Sequence, residues 1–225
     1  MPTEKVQIVE KILDANDQMA EENQQSFDKN HTLAINIMAS PGAGKTSLIL
    51  RTIEGLAKEY HIAVIEGDTA PVTIDADKVH ALGIPVTQIN TGGDCHLDAL
   101  MVRKGMQALD LQDVDLVIIE NVGNLVCPAA FNLGSHINVV IASIPEGDDK
   151  PYKYPNIYRG IQCLVLNKTD LKPYVDFNFE YFEKGIRVLN PGVEIIPLSS
   201  KTGDGLDTWL DWLRAQIDVK THVNQ

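Results

Sequence analysis

The stretch TLAINIMASPGAGKTSLIL, residues 32–50, reads as a buried strand, a glycine-rich turn and the opening of a helix. Within it, Ala39-Ser40-Pro41-Gly42-Ala43-Gly44-Lys45-Thr46 fits the P-loop pattern, with Ala in place of Gly at the first position. Glycines let a backbone wrap a phosphate chain while its N–H groups point inward as an anion nest. The helix N-terminus adds its dipole. In such a cradle Lys45 reaches the β and γ phosphates and Thr46 ligates Mg2+, with Ser40, Pro41, Gly42, Ala43, Gly44 and Ser47 forming the wall.

Outward from this turn the chain alternates. Strands are expected at 61–68, 85–90, 115–120, 137–144, 162–170 and 193–198, and helices at 46–60, 96–110, 181–190 and 205–219. Near-continuous Val/Ile/Leu strands separated by helices imply an α/β P-loop NTPase fold, a mostly parallel sheet with helices on both faces. Ligands in such sheets bind at the carboxyl ends of the strands. Ahead of this domain (31–225), residues 4–24 place Val6, Val9, Ile12, Leu13 and Met19 near helical spacing. This N-terminal amphipathic helix either packs on the core edge or meets a partner. The polar residues 21–30 are expected to link it to the main domain, so that 1–30 form a helix and linker.

Composition sets bounds. The chain has 225 residues, 44% hydrophobic and 22% charged, enough for one sizeable α/β domain. A formal net charge of −12 argues against nucleic-acid binding, which needs a basic surface to displace counterions. No apolar run reaches the roughly 18 residues of a membrane span. The N-terminus MPTEKVQIVE lacks the apolar stretch of a signal peptide, so a cytoplasmic location is expected. Three cysteines, Cys95, Cys127 and Cys163, suit free thiols or metal ligands better than a disulfide framework.

Asn167-Lys168-Thr169-Asp170 follows a hydrophobic strand and matches the NKxD guanine-recognition motif of GTPases. A carboxylate at Asp170 accepts from both guanine N1–H and the exocyclic amine; adenine offers no such pair and would leave the acid unpaired. Ser199-Ser200-Lys201, after the next strand, resembles the segment whose backbone contacts guanine O6. Glu120 and Gly123 keep the spacing of the DxxG motif, which orients Mg2+ and senses the γ phosphate, but with a changed acid. Residues 66–75, EGDTAPVTID, lie where a first switch should be, with Asp68 and Asp75 as candidate acids for Mg2+ or the attacking water. No residue matches the water-orienting Gln of Ras-like enzymes, so slow turnover by Lys45, Asp68, Asp75 and Glu120 is expected.

Cys95-His96, in NTGGDCHLDA, and Cys127, in ENVGNLVCPA, add a second chemistry. Two thiolates and an imidazole form a borderline-soft donor set that takes Zn2+ or Ni2+. Their spacing matches no standard zinc finger, but both segments follow strands of one sheet and so emerge at one edge. The alternative is that the cysteines are small buried apolar groups and His96 caps a helix. Three ligands are one short of a closed tetrahedral site, leaving room for water or a second chain. Cys163 sits inside a strand and reads as core, and His31, His61, His80, His136 and His222 stand apart.

Taken with ASPGAGKTSL and NKTD, the segments GDCHLDA (93–99) and ENVGNLVCPA (120–129) resemble the HypB family of GTPases in nickel–iron hydrogenase maturation, from about Asn16 to the final helix. The resemblance implies GTP and Mg2+ as cofactors and GTP-dependent homodimerisation. It also implies Cys95, His96 and Cys127 as ligands for Ni2+ or Zn2+, while the GTPase motifs give Thr46, Asp75 and Glu120 for Mg2+. Implied partners are a HypA-like nickel metallochaperone and the hydrogenase large-subunit precursor. Some family members carry an N-terminal Cys motif or a His-rich stretch for nickel; here no Cys precedes Cys95 and there is no His run, so nickel storage is not expected. Two other GTPase classes compete. The urease accessory type places its metal ligands in a CPH motif, whereas Cys127-Pro128 is followed here by Ala129. A cobalamin-enzyme assembly GTPase would carry no metal site of its own.

Overall fold

The structure, a computed structural model, describes residues 5–69 and 73–222, with the side chains of 12–69 and 73–221. Ala70, Pro71 and Val72 of the expected first switch, and the side chains of Val6, Val9 and His222, lie outside the described residues. Seven parallel strands run β1 (Leu33–Ala39), β2 (Ile62–Asp68), β3 (Val86–Asn90), β4 (Leu116–Glu120), β5 (Ile137–Ser143), β6 (Cys163–Asn167) and β7 (Glu194–Pro197). Their order in the sheet is β3-β2-β4-β1-β5-β6-β7. This parallel α/β architecture is the one expected. It places the carboxyl ends of β1, β2 and β4 side by side, with Ile37 opposite Glu120 and Glu66 opposite Glu120 in the strand registers.

The helices are α1 (Lys5–Lys29), α2 (Lys45–Leu56), α3 (Ile74–His80), α4 (Ala99–Gln107), α5 (Lys150–Lys153), α6 (Pro155–Arg159), α7 (Phe179–Leu189) and α8 (Leu206–His222). One face of the sheet packs Ile35, Val64 and Val139 against Leu48 and Ile53 of α2 and Trp209 and Leu213 of α8. The other packs Ala34, Ile65 and Ile119 against Phe27 of α1 and Val102 and Met106 of α4. Trp209 is wholly buried and its Nε1–H donates to Thr52 Oγ1 at 2.8 Å, locking α8 onto α2. Burying such an aromatic removes roughly 150–250 Å2 from water, about 4–6 kcal/mol at about 25 cal/mol per Å2.

Residues 21–30 are no linker: α1 continues to Lys29. Ala20, Asn23 and Phe27 are buried beneath a polar outer face. Asn23 Nδ2 donates to Ala99 O at 2.8 Å and Leu133 O at 3.1 Å, and its Oδ1 accepts from Arg103 at 2.8 Å. One of the amides that made this stretch read as a loop, Asn23, is the group that docks the helix. A second correction concerns 96–110, where the helix begins only at Ala99, because Asp98 accepts the Met101 N–H at 2.7 Å as an N-cap. Cys95 and His96 are thereby left in the loop. The expected helix at 46–60 ends at Leu56, and the final helix runs on to His222. The strand expected at 162–170 stops at Asn167, where Lys168 turns to φ 60° and a 3-10 helix spans Thr169–Tyr174. α3, α5 and α6 were not expected, being too short for a periodic signal.

Candidate nucleotide and metal site

β1 delivers its chain to the turn at Ser40, and α2 starts at Lys45. Gly44 has φ 108°, and a Cβ there would lie 2.4 Å from Asn167 Nδ2, so only glycine fits. Asn167 is buried and stitches three segments together. Its Nδ2 donates to Ala43 O at 3.0 Å, while its Oδ1 accepts from Lys168 N at 2.8 Å and Ser200 N at 3.0 Å. Lys168 Nζ donates to Gly42 O at 2.6 Å, and Asp170 Oδ1 accepts from Ser199 Oγ at 2.6 Å. Arg51 of α2 donates to Ser200 O at 3.0 Å and Lys201 O at 3.4 Å. The residues expected to read a base are therefore assembled against the glycine-rich turn. Ser40 Oγ bonds to the Glu146 carboxylate, which also accepts from Ser143.

A cleft of about 380 Å3 opens at these strand ends; among its walls are the expected Gly42, Gly44, Lys45, Thr46, Ser47, Asp68, Asp75, Glu120 and Gly123. Thr46 Oγ1 lies 3.0 Å from both Asp75 Oδ2 and Glu120 Oε1. Lys78 donates to Asp75 Oδ1 at 2.6 Å. Glu66, Lys78 and Asn121, which the sequence did not single out, share the cleft. Glu66 and Glu120 are buried, at 4% and 5% exposure. Burial, then the charges of Glu120, Asp75 and Asp68, push Glu66 up to about 7. Burial likewise raises Glu120 to about 7, although Lys45 and Thr46 oppose it. An all-oxygen, acid-rich set with a buried carboxylate oxygen, Glu66 Oε2, lacking any partner fits a hard divalent cation such as Mg2+.

Cys95, His96 and Cys127 converge, their ligand atoms all within 4.8 Å of one another. Cys95 Sγ is 2.6 Å from Cys127 Sγ and 3.9 Å from His96 Nδ1. The hydrogen bond to Cys127, then burial, raises the Cys95 thiol above its usual range. His96 stacks on Phe131 with ring centroids 3.9 Å apart, which holds the imidazole beside the thiols. Asn124 Nδ2 donates to Cys95 O at 3.3 Å, so the β4 loop clasps the β3 loop. Two sulfurs and one imidazole nitrogen, half-buried, suit Zn2+ or Ni2+ and leave a coordination position open. Cys163 is wholly buried core, with its thiol pushed up by that burial.

The two centres are joined. Asn121, one residue past Glu120, accepts Leu97 N–H at 3.1 Å and donates to Asn36 Oδ1 at 3.2 Å. Leu97 packs over Gly67, where an added Cβ would fall 2.6 Å from its Cγ. Gly123 abuts Pro41 of the glycine-rich turn, at 3.2 Å for a Cβ placed there. Glu66 could have been noticed as an acid directly after the apolar run 62–65, though not its pairing with Glu120; Asn121 carries no such signal.

Residues 33–197 match the family model "CobW/HypB/UreG, nucleotide-binding domain". A hydrogenase maturation factor HypB of Azotobacter vinelandii is 46% identical over 222 residues, covering 95% of this chain and 73% of that protein. The crystal structure of HypB from Helicobacter pylori in complex with nickel superposes with a TM-score of 0.87 at 33% identity, over 94% of this chain and 99% of that one. Hydrogenase maturation factor HypB from Archaeoglobus fulgidus gives 0.83 at 40% identity, over 91% and 100%.

Proposed function

Since the chain belongs to the CobW/HypB/UreG nucleotide-binding family and, within it, to the HypB hydrogenase maturation factors, we propose that it is a slow GTPase that governs nickel delivery to the hydrogenase large subunit. The observation that carries this reading is the convergence of Cys95, His96 and Cys127 on loops that leave the same sheet edge as the glycine-rich turn. Nickel is the cargo, received from a HypA-like metallochaperone and held by that trio; Zn2+ would fit the same donors.

Asp170 accepts from the guanine N1–H and amine, while Asn167 and Lys168 brace the turn and Ser199, Ser200 and Lys201 line the base. Gly42, Ala43, Gly44 and Lys45 receive the phosphates, with Ser40, Pro41 and Ser47 shaping the cradle. Thr46, Asp75 and Glu120 would hold Mg2+, which neutralises phosphate charge. Asp68 and Asp75 orient the attacking water, and Gly123 senses the γ phosphate. Without a Gln to orient water, turnover is slow and the protein acts as a switch. The open coordination position favours a GTP-dependent homodimer in which two loops complete a site. No helix among the described residues is long and apolar enough to cross a membrane.

Sedimentation in Mg2+ with GDP and with a non-hydrolysable GTP analogue tests this reading. A monomer or weak dimer with GDP and a stable dimer with the analogue are expected; equal masses contradict switching by association.

A further inference from the structure

We propose that Glu66 is a positioning residue of the cation cleft: its buried carboxylate, beside Glu120, offers Oε2 to a water of the hydrated divalent cation. This rests on the nucleotide reading above.

Glu66 ends up here because β2 carries it, in register beside Glu120 of β4, to the carboxyl edge of the sheet. In the same cleft the Asp75 carboxylate meets Thr46 Oγ1 at 3.0 Å and Lys78 Nζ at 2.6 Å. Oε2 is buried without a hydrogen-bond partner, the one such side-chain atom among the described residues.

A purely structural residue would avoid this arrangement. An unpaired buried carboxyl oxygen beside a second buried acid is destabilising, and an amide there would remove the repulsion between the two acids. A divalent cation in the cleft reverses that balance. Its charge offsets the repulsion between Glu66 and Glu120, and its retained waters are the donors that Oε2 lacks. Mg2+ in particular dehydrates reluctantly and keeps several waters in such sites.

The test is the Mg2+ concentration that half-maximally slows release of a fluorescent GDP derivative, measured on the full chain and on Glu66→Gln and Glu66→Asp. GDP affinity in EDTA serves as control for the fold and the phosphate cradle. Glu66→Gln keeps the size of the side chain but removes the anionic oxygen, and is expected to raise the Mg2+ midpoint about tenfold with GDP affinity in EDTA unchanged. Glu66→Asp, which keeps the charge, should recover part of that loss. A parental midpoint in Glu66→Gln overturns the proposal. So does loss of GDP binding in EDTA by both variants, which would make Glu66 a folding residue. Should only Glu66→Gln fail to fold, Glu66→Asp decides: a raised midpoint supports the role and a parental one overturns it. Release from the unaltered chain that ignores Mg2+ would refute the nucleotide reading itself, whatever the variants do.

Discussion

The side-chain oxygen of Asn121 accepts the backbone N–H of Leu97 at 3.1 Å, joining the residue after Glu120 to the residue after His96. The same amide donates to the buried Asn36 of β1, and Leu97 covers Gly67 just before Asp68. A displacement at the end of β4 or β2 therefore cannot leave the Cys95/His96 loop where it is without breaking a buried hydrogen bond or a tight packing contact.

Asn121→Ala should remove that tie. Leu97 N–H and the Asn36 amide lose a partner in a buried setting, so a stability loss of about 1–3 kcal/mol is expected from urea denaturation. Nickel and GDP should each still bind, but with less mutual influence than in the parent. Retained stability together with unchanged metal–nucleotide coupling would show that Asn121 does not connect the centres.

Asp170→Asn tests base selection. The carboxylate–guanine contact is charge-assisted and worth about 1.5–3 kcal/mol per hydrogen bond, so GTP affinity should fall roughly 10- to 150-fold. Xanthosine triphosphate, which presents an acceptor where guanine has its amine, should gain relative to GTP. Equal GTP affinity in variant and parent, by titration calorimetry, would remove the guanine assignment.

Lys45→Ala takes the flexible cation from the phosphate cradle. Hydrolysis should fall at least about 100-fold, with triphosphate binding greatly weakened. Phosphate release near the parental rate would mean the turn at 40–46 is not the phosphate site.

The glycine-rich turn, the parallel sheet and the Cys/His trio were legible because each rests on local pattern: glycine spacing, apolar runs, and thiols placed after strand ends. The end of α1 was misread because Asn23 and its polar neighbours look like loop residues, and only the tertiary bonds to Ala99 and Leu133 make them helical. Glu66 was overlooked in favour of Asp68 and Asp75 for a related reason. Its significance lies in facing Glu120 across two strands distant in the chain, a relation set by strand order alone.

Acid should loosen the edge where α1 meets α8. His136 Nδ1 accepts Ala34 N–H at 3.0 Å and its Nε2 lies 3.0 Å from Asp28 Oδ1, so protonating Nδ1 would set two donors face to face. Burial lowers the His136 pKa despite the bond to Asp28. The unfolded chain then takes the proton first, and stability is lost as pH falls from the ordinary histidine value, about 6.5, toward the lower folded one. Burial pushes Asp28 up, but hydrogen bonds from Lys220 and His136 outweigh it and hold the acid below its usual value. Its contribution is lost in turn at more acid pH. His136→Asn keeps an acceptor for Ala34 and cannot titrate, so its melting temperature should fall less between about pH 7.5 and 5.5. Parallel melting profiles would contradict this.

The most direct test of the two-centre account is the affinity for Ni2+ and Zn2+ measured in the GDP-bound and GTP-analogue-bound states, with Cys95→Ala and Cys127→Ala as controls. Metal sites tolerate only about ±0.2 Å in ligand distance. Movement of the loop between Gly123 and Cys127 should therefore change affinity, and linkage requires metal to shift the relative affinity for the two nucleotides by the same factor. A difference of roughly 5- to 150-fold between the states, and loss of binding in both cysteine variants, is the expected result. Identical affinities in the two nucleotide states would contradict the coupling, and undiminished metal binding in both cysteine variants would contradict the site.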